Sequence, residues 1–209
     1  NMHPTLNTEG TGLLVVDMQN AFCHEHGSFA TAMELDISAL RGAIPGCQQL
    51  ISLARKYLMP ITFTRYIYKP DYSDGAILAR DLMPGIMEVG SLKQGTWDIE
   101  VLDELNVLAV DNILDKNRPS CYYNTALGYW LHKHAIENVI VCGVTTSICV
   151  ETTARDLSQE DYRVFIVEDA VGELEQDRHE IALKTLAFGF GWVVSVNDIA
   201  SALSQPDAA

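Results

Sequence analysis

The chain has 209 residues, 48% apolar and 20% charged, the profile of a folded globular protein rather than a disordered one. Its formal net charge of −14 argues against nucleic acid or an anionic membrane as partner, because phosphate binding needs a basic face. No apolar run approaches the roughly 20 residues of a membrane helix, no secretory leader pattern opens the chain, and the five cysteines form no paired framework, so a reducing, cytoplasmic location is expected.

In chain order, residues 2–11 form a polar lead-in, and residues 13–16 (LLVV) predict a buried strand ending at Asp17. A loop follows, carrying Gln19, Asn20, Phe22, His24 and His26. Pro45 suits the first turn of a helix, which Leu50, Ile51, Ala54, Tyr57 and Leu58 continue. Residues 60–64 (PITFT) predict a second strand ending at Arg65. Residues 66–98, rich in Tyr, Pro, Asp and Gly, are irregular, and such segments in compact domains are usually functional or mobile.

Residues 107–115 carry strand-compatible apolar pieces that end in Lys116. A helix is expected from Asn124, with Leu127, Trp130, Leu131 and His134 on one face. Residues 139–142 (VIVC) predict another buried strand, which Gly143 breaks. From about Ser147, residues Cys149, Val150, Thr153 and Leu157 take up helical spacing. A strand at 164–167 ending in Glu168, a helix from about 176 to 188 and a last strand at 191–196 complete the pattern. Apolar strands alternating with helices call for one domain, residues 2–209, built on a parallel sheet covered on both faces.

In such sheets ligands bind outside the carboxyl ends of the strands. Asp17, Lys116 and Cys149 stand at three such ends. Cys149 lies where a strand hands over to a helix, and unpaired amide groups there bias a thiol toward thiolate. A thiol, a carboxylate and an ammonium make a nucleophilic set. Cys149 would attack a carbonyl carbon, Asp17 would carry the proton, and Lys116 would hold both anions. The turn 144–148 could receive the oxyanion. Taken singly, Asp17 could cap backbone, Lys116 could be a solvated charge and Cys149 a core residue.

The segments LLVVDMQNAF, ILDKNRPSCYYNTAL, VIVCGVTTSICVETTARD and VFIVEDAV resemble, in order and spacing, the signatures of isochorismatase-like cysteine hydrolases. The resemblance spans about Gly12 to Asp198, and its specific part is the G-V-x-T-x-x-C-V pattern at 143–150. It implies a doubly wound α/β fold, with about six mostly parallel strands in a three-layer α/β/α arrangement. It also implies a catalytic triad of Cys149, Asp17 and Lys116, a non-proline cis peptide before Thr145, and an oxyanion pair from the amides of Thr145 and Cys149. A homodimer or homotetramer is implied as well.

Within that family, siderophore-pathway isochorismatases lack the cysteine retained here. Nicotinamidases add a metal site from an Asp and two His after the second strand, and residues 65–71 (RYIYKPD) hold no histidine, so no catalytic metal and no cofactor are expected. His24 and His26 read as exposed loop residues rather than ligands. The stretches GTWD at 95–98 and NRP…YNT at 117–125 are similar to ureidoacrylate and, less closely, biuret hydrolases. The implied substrate is a small linear amide or ureide. The substrate-binding candidates are Gln19, Phe22, Arg65, Trp97 and Tyr123, and Arg118 could equally grip a carboxylate. For each aromatic the alternative is core packing, and for each arginine an ordinary ion pair. Two competing readings are an amidase for nicotinamide, maleamate or a secondary-metabolite amide, and a non-enzymatic binding or redox-sensing scaffold.

Overall fold

The computed structural model describes residues 6–205. Six strands, β1 Thr11–Val16, β2 Ile61–Tyr66, β3 Asn112–Lys116, β4 Asn138–Val144, β5 Arg163–Gly172 and β6 Trp192–Val194, form one sheet in the order β3-β2-β1-β4-β5-β6. Every pairing is parallel. The sheet is therefore doubly wound, as expected, and wholly rather than mostly parallel. Its central strands are buried along their whole length, which is why β1 and β4 read as unbroken apolar runs without alternation.

Between the strands lie α1 Asn20–Cys23, α2 Ser38–Arg41, α3 Ile44–Lys56, α4 Gly85–Glu88, α5 Leu127–Lys133, α6 Glu151–Gln159, α7 Gln176–Gly189 and α8 Val196–Ser204. α3 packs with α8 against the sheet, while α6 and α7 pack together. Pro45 does sit in the first turn of α3. The helix expected from Asn124 starts at Leu127, since Asn124 itself has a left-handed backbone (φ +53°). The last predicted strand is shorter than 191–196 and gives way to α8. Ser195 and Asp198 cap that helix reciprocally, and Ile199 and Leu203 bury against the core.

The strand order reverses between β1 and β4, so the crevice between their carboxyl ends is the topological switch point. Gly143 brings these two strands together. Its φ is +112°, and a Cβ there would stand 2.1 Å from the Val16 carbonyl oxygen, so only glycine is accommodated. β5 shifts register opposite Val141 and Gly143, and its end leads into Glu173 beside the same crevice.

Candidate active site

The chain leaves β1 at Asp17 in a left-handed conformation (φ +51°), and the turn is closed by the Gln19 amide donating to the Asp17 carbonyl at 2.8 Å. Thr64, on the neighbouring strand β2, accepts from the Asp17 amide at 3.0 Å and donates to Asp17 Oδ1 at 2.7 Å. One hydroxyl thus fixes both the backbone and the carboxylate of Asp17. Lys116 reaches across from the end of β3. Its Nζ donates to Asp17 Oδ2 at 2.9 Å and to the carbonyls of Arg118 at 3.0 Å and Pro119 at 3.1 Å. These acceptors occupy all the N–H donors of an ammonium. Cys149 Sγ stands 3.6 Å from the same nitrogen, and the Tyr66 ring lies beneath it with its centroid at 4.2 Å.

Cys149 is carried by a turn of π-helix, Thr146–Val150, that runs directly into α6. The Val144–Thr145 peptide bond just before it is cis. Glu173 holds the turn in place. Its Oε2 accepts from the Ser147 amide at 2.9 Å and from the Ser147 hydroxyl, while Oε1 accepts from the Leu174 amide at 2.8 Å and from Arg178 at 3.2 Å. A hydrogen bond between Thr146 Oγ1 and His179 Nδ1, at 2.8 Å, ties the turn to α7.

Asp17, Lys116 and Cys149 are all buried. Burial pushes the Cys149 thiol well above its ordinary value; Lys116 pulls it down, but the charge of Asp17 and a hydrogen bond to it push it up again. Desolvation thus works against the bias toward thiolate expected from the helix start, and Lys116 works for it. Burial works to lower the Lys116 ammonium, yet Asp17 and Cys149 outweigh it and hold Lys116 above its usual value, fully charged. Burial alone would raise Glu173, but Ser147, the Leu174 amide and Arg178 keep it below the usual carboxylate range. The arrangement offers a sulfur nucleophile and a carboxylate, with one fixed positive charge in contact with both.

Asp17 and Cys149 open onto a cavity of about 130 Å³ whose wall also includes Thr145, Phe22, Phe29, Tyr66, Val144 and Ile148. Of the five substrate-binding candidates, Phe22 alone lines it. Gln19 is a clamp instead. Its Nε2 donates to the Tyr66 and Ile99 carbonyls at 3.1 and 3.0 Å, and its Oε1 accepts from the Tyr66 amide at 2.7 Å, so both ends of this fully buried amide are engaged by backbone. Arg65 makes a bidentate pair with Asp115 at 2.8 and 3.0 Å and a further bond to Glu100 at 3.1 Å, the ordinary ion pair weighed as its alternative. Trp97 and Tyr123 are half or more exposed and stand outside the cavity wall; the Trp97 ring packs edge-on against His24. Arg118 donates to the carbonyls of Asp74 at 2.7 Å and Asn117 at 2.8 Å.

Sequence reasoning missed Thr64, Glu173 and the apolar wall from the irregular segment. Thr64 was within reach, being a hydroxyl at the end of a buried strand beside the Asp17 strand. Glu173 was not, because the register shift in β5 that delivers it leaves no local pattern. His24 and His26 lie in a loop with ring centroids 5.4 Å apart, and among the described residues no group of three or more His, Cys, Asp or Glu is placed to hold a metal ion.

The isochorismatase domain model matches residues 11–198. Ureidoacrylate amidohydrolase from Agrobacterium fabrum is 29% identical, over 96% of this chain and 93% of its own length. Nicotinamidase 3 from Arabidopsis thaliana is 31% identical, over 94% of this chain and 90% of its own. A cysteine hydrolase from Pseudomonas syringae pv. phaseolicola superposes with a TM-score of 0.87 at 28% identity, over 96% of this chain and 95% of its own. With that sheet and that strand-end cluster, the chain belongs to the isochorismatase domain family and is an amidohydrolase.

Proposed function

We propose that this enzyme cleaves the C–N bond of a small amide or linear ureide through a thioester on Cys149. Cys149 Sγ attacks the carbonyl carbon while its proton passes to Asp17, and the carbonyl π electrons move onto oxygen. The amides of Thr145 and Cys149 receive that oxyanion, each such donor being worth about 2.7–4 kcal/mol of barrier. As the intermediate collapses, the C–N bond breaks, Asp17 returns the proton to nitrogen and the amine or ammonia leaves. Water then attacks the thioester, giving one proton to Asp17, and the acid departs as that proton returns to sulfur. Lys116 moves no proton in this scheme, since it is held charged and its donors are engaged.

The observation that carries the reading is the contact of Cys149 Sγ with the Lys116–Asp17 pair at the floor of a cavity. Likeness to ureidoacrylate amidohydrolase supports a ureide substrate. The apolar wall supports a second reading, a small uncharged amide. Phe22 is proposed as part of that wall. Five free, buried cysteines are compatible with a reducing cytoplasmic setting, and a homodimer or homotetramer is proposed, to be checked by light scattering.

The test is ammonia release from a panel of amides and ureides, including ureidoacrylate, biuret, N-carbamoylsarcosine, nicotinamide and maleamate, for wild type and Cys149→Ala. We expect turnover of at least one member that survives EDTA and falls at least about 10⁴-fold in the variant. Activity that persists undiminished in Cys149→Ala would sink the thioester.

A further inference from the structure

The wall of the cavity above Cys149 includes Phe29, Leu78, Met83, Ile86, Leu92 and Leu174. Its charged lining is limited to Asp17, Glu173 and Arg178, and each is already matched. Asp17 pairs with Lys116. Arg178 is shared between Glu173 at 3.2 Å and Glu175 at 3.0 Å, so one guanidinium faces two carboxylates. Both Glu173 oxygens are spent on Ser147, Leu174 and Arg178. A carboxylate brought in with a substrate would find no unengaged cation on this wall, and burying an unpaired charge is far costlier than burying an apolar group. The net charge of −14 further repels anions. The volume of about 130 Å³ compares with the roughly 150 Å³ of an engineered apolar cavity that holds one benzene.

Resting on the thioester reading, we infer that the acyl half of the substrate is an uncharged, compact apolar group, a branched aliphatic chain or a single ring, rather than the acid-bearing chain of a ureido acid or a dicarboxylic monoamide. The apolar wall desolvates that group and holds its carbonyl over Cys149. An anionic acyl chain of the same length is excluded by charge rather than by size.

Aldehydes test the acyl pocket without requiring the right leaving group. The thiol of Cys149 adds to the aldehyde carbon and its proton ends on the aldehyde oxygen, giving a thiohemiacetal with no co-reactant. Isovaleraldehyde, benzaldehyde and succinic semialdehyde are compared by their protection of Cys149 from iodoacetamide, read by peptide mass spectrometry on the full chain. Half-protection by isovaleraldehyde or benzaldehyde is expected at a concentration at least about tenfold below that of succinic semialdehyde, a difference of about 1.4 kcal/mol. Equal or better protection by succinic semialdehyde overturns the inference, and so does labelling of Cys149 that none of the three slows. Cys149 that does not label even at alkaline pH, where the thiol ionises, overturns the thioester reading itself. Met83 lines the cavity and is 45% exposed, so Met83→Arg should fold; it supplies the absent cation and is expected to narrow the preference at least about fivefold.

Discussion

The floor and the wall of the cavity are built in different ways. The floor comes from strand ends: Asp17 from β1, Lys116 from β3 and the Cys149 turn after β4. Each stands where the parallel sheet must release its chain, so three residues far apart in sequence meet because the fold is doubly wound. The wall comes largely from 66–98, whose helical structure after β2 is a π-helical turn at Leu78–Leu82, α4 and a 3₁₀ turn at Trp97–Ile99. That segment is fixed by side chains and by a single parallel bridge between Tyr68 and Lys93 rather than by an extended ladder. Asp98 accepts from the amides of Ser28 and Leu92, both at 2.9 Å, and the Tyr72 hydroxyl donates to the Ser91 carbonyl at 2.6 Å. Regular secondary structure positions the reacting groups, and irregular chain shapes what they meet.

The contrast can be attacked at the floor first. Asp17→Asn leaves the buried Lys116 ammonium without its counter-charge and should cost about 3–5 kcal/mol in denaturant unfolding, with loss of turnover. The pH dependence follows from the same group of residues. Because Lys116 and Cys149 are both raised in the folded protein, their contributions are complete below the ordinary thiol value of 9.0. They are lost only as pH rises through the folded values, so urea unfolding midpoints should decline on the alkaline side. A flat alkaline limb would contradict the pairing.

Gly143→Ala tests the approach of β1 to β4 without touching a charged group. A Cβ that close to the Val16 carbonyl must push the strands apart, at a cost of about 3 kcal/mol, read as a lowered melting temperature with activity falling in step. Glu173 stands between floor and wall. Glu173→Gln keeps the size but loses the charge that grips Ser147 and Arg178, and a loss in kcat of about tenfold is expected with little change in KM. Since Glu173 is lowered in the fold, its contribution is present above the usual 4.5 and lost as pH falls through its folded value. The variant should therefore unfold less steeply in acid than the wild type. The smallest effect is predicted for Trp97→Ala, less than about twofold in kcat/KM, since the ring is half exposed and outside the cavity. A large loss there would return Trp97 to the site.

Most of the sheet was legible in the chain. A strand buried on both faces must be apolar throughout, and a parallel strand must stop at a polar residue, so residues 13–17 and 139–143 announce themselves. The same logic marks Lys116, although its strand begins later than expected because residues 107–111 form turns that spacing does not distinguish from strand. The aromatic and arginine candidates were less readable. Trp97, Tyr123 and Arg65 are residue types that serve binding and ordinary packing alike, and the partners of Trp97 and Arg65, His24 and Asp115, come from distant chain.

By itself the sequence determined the alternation that makes this sheet, the glycine where two strands nearly touch, and the three residues delivered to one edge. Only the tertiary structure decided that burial works against ionisation of Cys149, that Gln19 and Arg65 are spent on the protein itself, and that the cavity wall is apolar with its one arginine already paired. The division has a physical cause. Periodicity and strand ends are properties of neighbouring residues, whereas desolvation, saturation of hydrogen bonds and charge pairing depend on what the folded chain brings within a few ångströms.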